Sequence, residues 1–193
     1  MKRRSFMSLL AMLAFWRSEK LVAKEEQKEA KVKAKKKESK TMMPALFIGH
    51  GSPMNAIEDN EFTRKLTELG KELPRPKAVL CISAHWQSKG TWVTGMANPK
   101  TIHDFYGFPQ PLFDVQYPAP GDPELAKKIA DKVNGVHIDD SEWGLDHGTW
   151  SVLKFLFPKA DVPIIQLSLD VNKSDKEHFE LGEKIRELRE EGV

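Results

Sequence analysis

The chain has 193 residues, 40% of them hydrophobic and 30% charged, with a formal net charge of +2 at pH 7. That leaves room for one domain with a sizeable core, and the balance is that of a globular protein rather than a fibrous one. The lysine excess is confined to Lys20–Lys40, so no basic nucleic-acid-binding face is implied.

The first residues, Met1-Lys2-Arg3-Arg4-Ser5-Phe6-Met7, place two arginines ahead of an apolar stretch that runs to Trp16. This is the layout of a twin-arginine export signal, with a hydrophobic region too short to span a bilayer as a stable helix. Residues 1–18 are therefore expected to act as a signal or an uncleaved anchor. That would put the protein in the periplasm or export it, with membrane contact only through this segment; a start at Met42 or Met43 would instead leave it in the cytoplasm. Residues 19–42 are almost all Lys, Glu, Ala and Gln, with little apolar face to bury, and are expected to form a charged linker or a marginal helix.

From residue 43 to 193, short apolar runs alternate with helical patterns, which predicts an α/β fold with a mostly parallel sheet and helices on both faces. Strands are expected at Ala45–Ile48, Ala78–Ser83, Thr91–Met96, Val136–Ile138 and Pro163–Leu169. Helices are expected between them. One spans Glu61–Leu69, capped by Asp59 or Asn60. Another starts at Asp122-Pro123-Glu124, where a capping carboxylate precedes proline in the first turn, and leads to Val133. A third covers Thr149–Phe157 and stops at Pro158, and a fourth runs from Ser174 to Glu191 and ends at Gly192. Val193 reads as the first residue of a further strand, so the fold is expected to be incomplete at the C-terminus.

The chemistry is concentrated in two histidines that end apolar runs, His50 in Gly49-His50-Gly51-Ser52-Pro53 and His85 in Ser83-Ala84-His85-Trp86. The carboxyl ends of strands are where open α/β sheets build their sites, and imidazole is the commonest catalytic metal ligand near neutral pH. Each histidine can also be read as a hydrogen-bonded loop residue. His147 lies in a loop at the start of a helix, where an imidazole can donate to an anionic substrate oxygen. Asp146 beside it either caps the helix or orients the ring. Trp86 is available as an aromatic wall, and His103 sits beside Phe105, Tyr106 and Phe108. His137 and His178 read as bystanders, and the single cysteine, Cys81, reads as a small core residue. The chain contains no Walker A, dinucleotide-binding, C-x-x-C, H-E-x-x-H or G-x-S-x-G motif.

Six stretches occur in order from Met43 onward: MPALFIGHGSPMNAI, LPRPKAVLCISAHW, TIHDFYGFP, YPAPGDPELA, WGLDHGTWSVL and DVPIIQLSLD. Together they resemble the DODA-type (LigB-like) extradiol aromatic-ring-opening dioxygenases. The resemblance implies a catechol substrate of DOPA-like type, O₂ as co-substrate, and a divalent metal held by His50 and His85. Fe(II) is the metal that chemistry requires, because zinc has no redox states, although Zn(II) is compatible with the family. It further implies His147 as a catalytic residue on the substrate side, with His103 and Trp86 as substrate contacts. Family members continue through two further histidine-bearing segments, so the resemblance implies that this chain is the N-terminal part of such a domain. A zinc hydrolase using the same histidines and a non-catalytic metal-binding or interaction protein of the same fold remain the alternatives.

Overall fold

The sheet is built around one almost fully buried strand. The computed structural model describes residues 42–193, so the expected export signal and nearly all of the charged linker lie outside the described residues. Among the described residues four strands form the sheet: β1 (Val79–Ser88), β2 (Thr91–Thr94), β3 (Val136–Asp139) and β4 (Ile164–Asp170). Their spatial order is β1-β4-β2-β3, with β1 parallel to β4, β2 parallel to β3, and the two pairs meeting antiparallel at Val93 and Leu167. The sheet is thus mixed but mostly parallel. A central strand needs apolar residues on both faces, and β4 supplies them in alternation. Ile164 packs with Leu66, Trp150, Leu153 and Leu156 on one side, whereas Ile165 and Leu167 pack with Leu125, Ile129, Leu181 and Ile185 on the other.

Six α-helices among the described residues cover these faces: α1 (Glu61–Glu72), α2 (Gln110–Phe113), α3 (Pro123–Lys132), α4 (His147–Leu156), α5 (Asp175–Ile185) and α6 (Leu188–Glu191). Their starts follow local capping chemistry. Asn60 caps α1 by accepting from Thr63 N–H, while Asp59 instead pairs with Arg64 at 2.7 Å. Asp122 accepts from Leu125 N–H, and Ser174 forms a capping box with Glu177. Helix α4 begins two residues earlier than Thr149, because Asp146 is its cap. At its far end the Tyr117 hydroxyl donates to the Phe157 carbonyl at 3.0 Å.

Three expectations are corrected. Ala45–Ile48 is not a strand. β-prone composition supplies only part of what a strand needs, and this run finds no partner ladder: among the described residues β1 pairs with β4 alone, and the nearest backbone tie is Met43 N–H to Arg189 O at 2.9 Å. Leu46 and Phe47 are consequently exposed. The expected helix from Ser174 to Glu191 is two helices, because the chain tightens through Arg189 N–H to Arg186 O and Glu190 N–H to Glu187 O, both i to i−3 bonds. This tightening carries Leu188 into the core. Gly192 does stop the helix, at φ 103°, but Val193 then folds back to donate to Leu188 O and is not part of a strand.

Candidate metal centre

His85 is delivered by an irregularity in β1. Ile82 pairs with Leu167 and Gln87 with Leu169, so Ser83, Ala84, His85 and Trp86 together face the single residue Ser168. Such a bulge breaks the strict alternation of side chains and re-aims them. Ser83 and Trp86 turn inward, while His85 stays exposed on the sheet's open side. Ser168 fills the gap, accepting from Trp92 N–H at 2.8 Å and meeting Ser88 Oγ at 2.7 Å.

His50 arrives from irregular chain rather than from a strand end. Gly51 follows it with φ +67°, and Ser52 then caps a 3₁₀ turn, Pro53–Ile57, by accepting from Met54 N–H. The turn packs against α4.

His147 is the first residue of α4 and is almost fully buried. Its position is traceable to the centre of the sheet. Gln166 on β4 is completely buried; its amide donates to Asp146 Oδ2 at 2.8 Å and accepts from Asp146 N–H at 2.8 Å. Asp146, equally buried, accepts from Thr149 N–H with its other oxygen. The buried carboxylate is therefore satisfied on both oxygens, and its role is to cap α4 and fix its start. The group that faces the His147 ring is Asp104. Its Oδ1 lies 2.8 Å from His147 Nδ1 and accepts from the His147 backbone N–H at 2.9 Å. Burial pushes the Asp104 carboxyl up, but the contacts to His147 outweigh it and hold the group below the usual carboxylate range.

The three imidazoles converge. Nε2 of His50 lies 2.9 Å from Nε2 of His85, and the ring centroids of His85 and His147 are 4.0 Å apart. Each ring offers one nitrogen, and the three nitrogens lie within 4.8 Å of one another. With metal–nitrogen bonds of about 2.0–2.1 Å, two imidazoles on one ion place their nitrogens about 2.8–3.4 Å apart, from a right-angled to a tetrahedral arrangement, so the 2.9 Å His50–His85 spacing suits a shared cation. Burial, reinforced by His147 and His85, lowers the His50 pKa from its ordinary value and favours the neutral, ligating form. Nδ1 of His50 and Nδ1 of His147 are both buried without a hydrogen bond of good geometry, so the protein alone does not meet the bonding capacity of these rings. The donor set fits a divalent metal, with the exposed side of His85 leaving room for other ligands.

Of the other residues singled out from the sequence, Trp86 is buried and stacked on Trp143, with centroids 5.5 Å apart. His103 Nε2 is engaged with Val115 O at 2.9 Å, and its ring packs against Phe105, Phe113 and Trp150. Phe105 makes edge contacts with both His103 and His147, so these two histidines are related through an aromatic ring rather than directly. His137 lies against Trp92 and His178 against Asp170 O, both away from the cluster. Asp104 and Gln166 are not evident from the sequence. The adjacency of Asp104 to His103 within the TIHDFYGFP stretch is the only signal of the first, and nothing local marks the second.

Residues 44–192 match the family described as the catalytic LigB subunit of aromatic ring-opening dioxygenase. The chain belongs to the LigB family. It is 52% identical over 157 residues to the 4,5-DOPA dioxygenase extradiol of Escherichia coli (strain K12), covering 80% of this chain and 58% of that protein. It is 41% identical over 154 residues to the 4,5-DOPA dioxygenase extradiol of Beta vulgaris, covering 76% and 58%. The crystal structure of an uncharacterized protein from Escherichia coli K12 superimposes with a TM-score of 0.65 at 46% identity, covering 78% of this chain and 57% of that one. This LigB chain therefore spans a little under three fifths of the length of these relatives.

Proposed function

We propose that this chain carries the metal-binding part of an extradiol dioxygenase that opens the ring of a DOPA-like catechol with O₂. The observation that carries the reading is the convergence of His50, His85 and His147 in a LigB-family chain whose curated relatives are named 4,5-DOPA dioxygenase extradiol. His50 and His85 hold the ion on one side. Fe(II) would supply redox chemistry and open positions for both catecholate oxygens and dioxygen, whereas Zn(II) would occupy the site without that chemistry. His147 handles the substrate proton. Asp104 Oδ1 stands 2.8 Å from its Nδ1, close enough to pair with the ring when it carries a proton, and Nε2 is the nitrogen we assign to a catechol hydroxyl.

The test is anaerobic loading with Fe(II) followed by O₂ uptake with catechol and with DOPA. Ring opening that is lost in His50→Ala and His85→Ala supports the reading. Ester hydrolysis by the zinc form without O₂ uptake would establish the hydrolase instead, and metal binding with neither activity would establish a binding protein. His147→Ala should keep the metal and lose turnover; loss of the metal would make His147 a third ligand.

We also propose export through the twin-arginine segment at residues 1–18. Replacing Arg3 and Arg4 with lysine should retain the protein in the cytoplasm. Unchanged localisation would remove this reading.

A further inference from the structure

His50 lies outside any strand or helix, yet its backbone is tied to the start of α1 by a chain of two side-chain amides. Asn55 Nδ2 donates to the His50 carbonyl at 3.0 Å, and Asn60 Nδ2 donates to Asn55 Oδ1 at 2.8 Å. The direction of this chain is fixed at its far end. Asn60 Oδ1 accepts from Thr63 N–H at 3.1 Å as the cap of α1, so its amide nitrogen must point away from the helix, toward Asn55. Asn55 must then accept from Asn60 and donate to His50. Neither amide can reverse without a loss, because a flipped Asn60 would set its nitrogen against the helix N–H groups. Gly51 accommodates the arrangement twice over: its φ is +67°, and a Cβ there would stand 3.0 Å from Asn55 Nδ2. A second anchor comes from α4, where the half-buried Lys154 donates to Ala56 O at 2.6 Å. The turn after His50 is thereby pinned to the two helices that pack against each other beneath it.

We propose that Asn55 and Asn60 are positioning residues that set His50 through a one-way amide relay, so that the cap of α1 also fixes a metal ligand. The inference rests on the reading of His50 as a ligand. Asn60→Asp separates the two duties of Asn60. Aspartate caps a helix about as well as asparagine, so the apo protein should stay folded, its thermal midpoint lowered only by the few degrees that one lost hydrogen bond and the facing Glu58 carboxylate cost. The second oxygen, however, removes the donor to Asn55 and to Glu58 Oε2, the other acceptor of the Asn60 amide. Asn55 then turns its amide toward the introduced carboxylate and presents an oxygen to the His50 carbonyl, leaving that carbonyl without a donor. Loss of a hydrogen bond of ordinary strength should speed backbone hydrogen exchange across residues 49–55 by about fivefold.

Co(II) is the probe for the ligand itself. Its affinity should fall by about tenfold, as when a group supporting a ligand is removed, with a shift in the visible cobalt absorption. Asn55→Leu, which leaves the cap intact, should give both effects as well. Exchange across 49–55 indistinguishable from wild type in both variants would overturn the relay, as would unchanged cobalt affinity and spectrum. If the wild-type protein takes up no Co(II), the reading of His50 as a ligand fails, and hydrogen exchange alone then decides whether the relay orders the turn.

Discussion

Gly148 gives His85 the space it occupies. A Cβ at residue 148 would stand 2.7 Å from His85 Cδ2 and 2.6 Å from Ser83 Oγ, below ordinary contact for either atom. The first turn of α4 and the bulge of β1 can approach this closely only because one residue between them has no side chain. Gly148→Ala should therefore push His85 out of register with His50. Isothermal titration with Co(II) should show affinity reduced by about tenfold or more, with secondary structure unchanged by circular dichroism. Wild-type affinity in this variant would mean that β1 shifts to absorb the methyl group.

Asp104 should matter to proton handling more than to metal retention. In Asp104→Asn the ring of His147 loses its charged partner, and turnover of the iron-loaded protein should fall by about 10- to 100-fold while metal content stays near wild type. The same variant has a signature in stability. A carboxyl held below its ordinary pKa favours the folded state above that pKa, and the contribution is lost as pH falls from about 4 through the depressed folded value. Urea midpoints should thus fall less steeply on acidification in Asp104→Asn than in wild type.

Gln166→Leu tests the link between the sheet centre and the site. It leaves Asp146 Oδ2 and the Asp146 N–H buried without partners, a loss of at least about 2–3 kcal/mol in urea unfolding. Gln166→Glu would set two carboxyl groups against each other and should cost as much at pH 7, with part of the loss recovered at pH 5 as the pair takes up a proton.

Cys81 should be inert in the folded protein. Burial, only partly offset by the hydrogen bond from Thr149 Oγ1, pushes its thiol to about 11 from an ordinary 9.0. At pH 8 a disulfide reagent should label it far more slowly than free cysteine, reaching full rate only on unfolding. The folded state binds the proton more tightly, so this group favours folding below pH 9 and the contribution is lost as pH rises from 9 toward 11. Alkaline destabilisation in that range should be smaller in Cys81→Ala.

What is legible in the sequence is what acts over a few residues. Asp122, Ser174 and Gly192 can be assigned because a cap or a helix stop works within one turn. The meeting of His50 and His85 is also expected, but from neighbouring strand ends, and the structure reaches it by another route. A bulge that sets four residues against one breaks the period-two pattern on which strand reading depends, so the aim of His85 is not readable. Ala45–Ile48 has the composition of a strand, and composition does not reveal whether a partner ladder exists. The supports of His147 are longer in range still: Asp104 lies 43 residues away and Gln166 lies 20 residues from Asp146, beyond any local pattern.

The histidine cluster is assembled from pieces of chain with no local connection, since His50 and His85 are 35 residues apart and His147 belongs to a different element again. An unfolded or half-folded chain holds these rings at distances that no single ion can bridge, so ligation and the final packing of α4 against β1 become one thermodynamic event. A cation that reads only the finished arrangement is a reporter of folding as well as a cofactor. Free metal at a hundred times its dissociation constant would add about 2.7 kcal/mol to the native state. Thermal denaturation followed against metal concentration would then measure the affinity of the site without a substrate, and a variant that folds but assembles the cluster poorly would betray itself by a melting point that no longer responds to the ion.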